Sequence, residues 1–113
     1  AGMGQLPGLP SDITGSINMV DTPEATTISY SLINLGGQSY TLNVDDLNLT
    51  QGGVSVRAQL DRRNGNLSPG LLQPGKGEIG RITVPRVSNG PLVLKWKLRT
   101  GSTAYTLNIT HQP

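Results

Sequence analysis

Apolar and polar residues alternate with a period of two along most of the chain. No segment longer than two helical turns carries apolar residues at three- and four-residue spacing. Only an extended strand sends successive side chains to opposite faces, so the pattern points to an all-β fold. The cleanest run is Leu92, Leu94, Trp96 and Leu98, whose neighbours Val93, Lys95, Lys97 and Arg99 face the other way. Trp96 falls on the apolar side and is expected to anchor the core, and Tyr30, Tyr40 and Tyr105 fall on inward faces by the same alternation.

Turn chemistry divides this pattern into strands. Ile13, Gly15, Ile17 and Met19 alternate with polar neighbours over the 12–20 stretch. Ile28, Tyr30 and Leu32 alternate next, then Gly36-Gly37, then Tyr40, Leu42 and Val44, which together read as a hairpin. Leu47 and Leu49 continue or restart that strand, and Gln51-Gly52-Gly53 turns the chain into a strand of Val54, Val56, Ala58 and Leu60. Residues 61–77, with Asn64-Gly65, Pro69-Gly70 and Pro74-Gly75, form the longest loop, and Leu71 and Leu72 are expected to tuck it onto the core. Ile79 to Val84, the run ending at Leu98, and Tyr105 to Ile109 after the Thr100-Gly101-Ser102 turn complete the set. Short strands about ten residues apart, each with one apolar face, predict a single antiparallel β-sandwich of seven or eight strands with immunoglobulin-like topology.

Composition narrows function. A chain of 113 residues is the size of one domain, and with no Cys it has no disulfide, thiol or Cys-based zinc chemistry. Its one His, His111, sits near the C-terminal end, poorly placed as a catalytic base, and Asp45 and Asp46 would point to opposite faces if extended. No spaced set of oxygen ligands matches a calcium loop, and the Gly-rich stretches lack the ending of a phosphate loop. The expectation is a non-enzyme with no catalytic residue, cofactor, metal or small-molecule substrate. No apolar run is long enough to span a bilayer as a helix. The start at Ala1, the lack of Cys and the richness in Thr, Ser, Asn and Gly favour a secreted or cell-surface protein. Asn-X-Ser/Thr triplets at Asn48, Asn66 and Asn108 are no more than chance supplies in such a composition.

Charge is split along the chain. Residues 1–56 hold Asp12, Asp21, Glu24, Asp45 and Asp46 and no Lys or Arg, whereas residues 57–113 hold all nine basic residues against Asp61 and Glu78. Interleaved strands would mix these charges over one surface; alternatively, they provide head-to-tail complementarity between identical copies. Arg57, Arg62, Arg63, Lys95, Lys97 and Arg99 on one side could contact phosphates, but four aromatics and no recognisable motif disfavour nucleic acid.

Residues 1–11 contain no charge and place Met3, Leu6 and Leu9 among Gly and Pro that forbid a helix, giving an extended arm ahead of a sandwich domain over residues 12–113. Such an arm suits strand addition to a neighbouring copy, with Met3, Leu6, Leu9, Ile13, Ile17 and Met19 filling its pockets. The run Ser29-Tyr-Ser-Leu-Ile-Asn-Leu-Gly-Gly-Gln-Ser-Tyr-Thr-Leu and the later Leu72-Gln-Pro-Gly-Lys-Gly-Glu-Ile-Gly-Arg-Ile-Thr-Val-Pro resemble bacterial immunoglobulin-like surface domains over roughly residues 27–109. The composition is also similar to that of pilins assembled by strand donation. These resemblances imply a structural subunit of a cell-surface filament or other homopolymer. Two other readings are a monomeric binding or adhesion module of a larger surface protein and a small inhibitor-like domain acting through loop 61–77, each with a protein partner.

Overall fold

Main-chain pairing sorts the alternating segments into two antiparallel sheets. A computed structural model describes residues 8–63 and 70–113 of the chain. Its strands are β1 (Ile13–Asp21), β2 (Ala25–Asn34), β3 (Tyr40–Thr41), β4 (Leu47–Gln51), β5 (Val54–Ser55), β6 (Gln59–Arg63), β7 (Leu71–Leu72), β8 (Gly77–Pro85), β9 (Leu92–Thr100) and β10 (Thr103–His111), with a 3₁₀ turn at Val44–Asp46. The first sheet runs β1-β2-β8-β6; in the second, β9 pairs with β10 along one side and with β4 and β3 along the other, and β5 and β7 lie outside β4 and β3. Each sheet turns its apolar face inward, and Ile13, Ile28, Leu32 and Ile82 of one meet Leu94, Trp96, Leu98 and Leu107 of the other. Burying each such side chain contributes about 1.5–3 kcal/mol, the main force holding the sheets together. The fold is the antiparallel, immunoglobulin-like β-sandwich that the alternation predicts.

Pairing corrects several expectations. The strand containing Tyr30 and the one containing Tyr40 form no hairpin with each other, because β2 lies between β1 and β8 in the first sheet and β3 between β7 and β9 in the second. Neither Gly36 nor Gly37 takes a positive φ. Instead buried Asn34 carries the chain between sheets: its Nδ2 donates to the carbonyls of Gln38 (2.7 Å) and Leu72 (3.0 Å), and its Oδ1 accepts from the Gly36 N–H (2.9 Å). The expected strand over residues 54–60 also divides. Gly52 and Gly53, at φ 58° and 83°, close a tight hairpin from β4 to β5, and the Val56 N–H bonds the Leu49 carbonyl at 2.9 Å. The chain then crosses to the first sheet to become β6, at the edge opposite β1. These divisions, with the short β7, raise the strand count above the expected seven or eight.

The donated strand is likewise corrected. β1 pairs along its whole length with β2 of its own chain, from Ile13 opposite Asn34 to Asp21 opposite Thr26. A tight Thr22 turn closes the pair: the Thr22 N–H donates to the Ala25 carbonyl (2.8 Å), and the Thr22 hydroxyl accepts from the Ala25 N–H (3.1 Å). So short a loop costs far less entropy to close than recruiting a strand from another molecule. Leu9 and Ile13 are buried in the chain's own core. Met3 and Leu6 lie outside the described residues, as do residues 64–69 of the 61–77 loop.

Candidate protein-binding face

β9 is the central strand of the second sheet, and its two faces differ in kind. Leu92, Leu94, Trp96 and Leu98 are at most 1% exposed, while Lys95, Lys97 and Arg99 stand on the outer face. Their cross-strand neighbours are uncharged: Lys97 lies opposite Thr106, Lys95 between Asn108 and Asn48, and Arg99 between Ala104 and Thr41. The hairpin that sets this register turns at Gly101, whose φ of 55° fits the first central position of a type II′ turn.

Only one end of this basic column is neutralised. Arg99 grips Asp46 with two parallel bonds, Nε to Oδ2 at 2.9 Å and Nη2 to Oδ1 at 3.1 Å. That grip holds the Asp46 carboxyl below the ordinary carboxylate range and raises the guanidinium value further; Lys97 adds a weaker pull on Asp46. Among the described residues, no ion pair engages Lys95 or Lys97. At the sheet's edge a groove is lined by Leu47, Leu49, Val56 and Ala58 together with Val44, Asp45 and Arg57. Leu47 and Leu49 pair with Trp96 and Leu94 and share their inward phase, so the groove opens on the other side of β4 from Asn48 and Lys95. The sequence pattern missed this groove, which arises where the chain leaves β5 for the other sheet; the break in alternation at Asp45-Asp46 was its only trace.

The structure does not gather the six basic residues considered for phosphate contact. Arg62 turns inward and is bound to buried Glu78 through Nε (2.9 Å) and Nη2 (3.1 Å), with its guanidinium 5.3 Å from the Trp96 ring centre. Trp96 itself is in the core, its indole N–H donating to the Asn43 carbonyl at 2.7 Å and its ring edge-on to Tyr30. Burial, and donation of its hydroxyl to Glu78, keep the Tyr30 phenol protonated well above its ordinary range. Two acids of the first half meet bases of the second within one molecule: Asp21 meets Arg86 and His111, and Asp46 meets Arg99. Ile17 and Met19, cast as arm residues, line a half-open seam between β1 and β10. Among the described residues, no group of three His, Cys, Asp or Glu is placed to hold a metal ion.

Two-sheet sandwiches of this kind occur among solved structures. No protein-family model and no curated protein sequence matches the chain. A crystal structure of the yeast GGA1 GAE domain superposes with a TM-score of 0.52 at 11% identity, over 96% of this chain and 96% of that one. The GAE domain of GGA2p from Saccharomyces cerevisiae aligns at 13% identity over 96% of this chain and 94% of that one, with a TM-score of 0.43. The GGA1 likeness is one of fold. It displaces the bacterial surface-domain and pilin resemblances, and the filament-subunit and secreted or cell-surface expectations tied to them are corrected with it.

Proposed function

We propose that this chain is a monomeric, non-catalytic protein-binding module that docks an acidic segment of a partner protein across the outer face of β9. The observation that carries this reading is the outward pair Lys95 and Lys97, which no ion pair engages among the described residues and whose cross-strand partners are Thr106, Asn108 and Asn48. Such a face attracts carboxylates and costs little to desolvate around its two cations. The fold shared with a GAE domain favours a binding module over a filament subunit.

The test is fluorescence anisotropy with a labelled Asp- and Glu-rich peptide at low and high salt, with light scattering on the same samples. Binding should weaken with salt and fall about tenfold or more in the Lys95→Glu, Lys97→Glu double variant, while the protein scatters as a monomer of 11.9 kDa. Equal binding by the variant, or growth of multimers with concentration, would sink the reading.

A further inference from the structure

β1 and β10 are the outer strands of their respective sheets, and they flank the same open side of the sandwich. The pairing of β1 with β2 is in phase with the bond from the Leu35 N–H to the Asp12 carbonyl (2.8 Å) and that from the Thr22 N–H to the Ala25 carbonyl (2.8 Å). Even-numbered residues of β1 therefore spend their main-chain groups on β2, and those of Gly15, Ile17 and Met19 point away from the sheet. The side chains of Ile17 and Met19 face inward, yet they are only partly buried, whereas Ile13 on the same face is fully buried. The sandwich thus gapes progressively along β1. Ile17, Met19 and Ile109 line the gap, and one end of it is closed by the His111–Asp21 contact at 2.8 Å.

Among the described residues this edge lacks the usual protection. From Ile13 to Val20 there is no Lys, no Pro and no charge, and β1 pairs with β2 without a bulge. A straight, uncharged edge of this length is a template for main-chain pairing. We infer that the β1 edge, with the Ile17–Met19–Ile109 groove beneath it, is a second docking site, which takes an extended, uncharged segment of another protein by strand addition. Its main-chain groups would pair with those of Gly15, Ile17 and Met19, and alternate apolar side chains would enter the groove. The charge pattern selects this occupant. Apart from His111, whose ring meets Asp21, the groove's lining of Ile17, Met19, Ile109 and Thr110 is uncharged, so a charged side chain entering it would lose water and find no counter-ion there. The inference is independent of the acidic-segment reading, which uses a different surface.

The experiment is selection of phage-displayed peptides on the full chain, followed by affinity measurement and amide exchange with the selected peptides. Two variants separate edge from groove. Met19→Pro blocks the edge at a residue whose N–H makes no ladder bond, and Ile109→Lys charges the groove from β10 without touching β1. Thermal melts show that each is folded, and a variant that fails to fold is replaced by Ile17→Pro or Ile109→Glu. The expected peptides are uncharged with apolar residues at alternate positions. They bind about tenfold or more weakly to both variants and equally well to Lys95→Glu, Lys97→Glu, and they slow exchange at Gly15, Ile17 and Met19. Selection of acidic peptides alone, recovery of no peptide, insensitivity to Met19→Pro, or protection of those amides in the free protein would each overturn the inference. The last would mean that the edge is already occupied by the chain itself or by a second copy.

Discussion

Glu78 has no exposed side-chain surface, and hydrogen-bond donors from three directions converge on its carboxylate. These are the Tyr30 hydroxyl at 2.5 Å, the Arg62 guanidinium at 2.9 and 3.1 Å, and the Gly70 N–H at 2.7 Å. Arg62 also donates to the Leu42 carbonyl at 2.6 Å, so one ion pair ties β6, β8, β2 and the chain on both sides of residues 64–69. A buried pair of this kind adds little over an apolar pair of the same shape, but breaking it strands a charge. Arg62→Met is therefore expected to cost about 3–5 kcal/mol, read from urea unfolding, because Glu78 keeps its burial and loses its counter-ion. A loss under about 1 kcal/mol would mean that water reaches the carboxylate. The sequence held a clue to this knot that is easy to misread. Ile79 looks like the first apolar residue of its strand, yet it is 63% exposed, and Glu78 shares the inward phase of Gly80, Ile82 and Val84. Phase along the strand was the better guide than the apolar character of one residue.

At the scale of elements, the number of paired sides sets local stability. β2 is hydrogen-bonded on both sides for nearly its whole length, β8 pairs with β2 throughout and with β6 over its central residues Ile79 to Thr83, and β9 is flanked by β10 and by β4 and β3. β5 and β7 are two residues long, with one paired side each. Amide exchange followed by NMR should accordingly find the slowest amides in β2, β8 and β9 and fast exchange in β5 and β7. Uniform protection across the strands would contradict this ranking. The β9–β10 hairpin was legible because Thr100-Gly101-Ser102-Thr103 is a local signal whose geometry a glycine at φ 55° completes. Where β2 and β3 would pair was not legible, since Asn34 diverts the chain by bonding Leu72, 38 residues away. Alternation along one strand says which side chains face inward and leaves open which strand lies alongside. For the binding face this means that the column Lys95, Lys97, Arg99 could be read directly, while its uncharged flanks and the neutralising role of Asp46 came only with the register.

Across the whole molecule, the acidic first half and basic second half fold into contact with each other. Asp21 shows the arrangement most fully: it accepts from the Thr26 hydroxyl at 2.7 Å, meets His111 at 2.8 Å and lies 3.7 Å from Arg86. It thereby links the first sheet to the last strand of the second. The Thr26 bond first and then His111, with Arg86 adding attraction, hold its carboxyl below the ordinary value of 3.8. A depressed carboxyl contributes stability that is complete above the unfolded value and disappears as pH falls through the folded one. Thermal melts from pH 6 down to pH 2 should therefore lose stability below about pH 4 more steeply in the wild type than in Asp21→Asn. Parallel curves would show that the contacts of Asp21 add nothing at the level of the fold. The chain's single tryptophan is set to report on such changes from inside. Trp96 belongs to one sheet, and its ring centre lies 5.4 Å from that of Tyr30 in the other. The protein thus carries a built-in optical gauge of the distance between its two layers, one whose near-ultraviolet signal fades when the layers part, even if every strand is still paired.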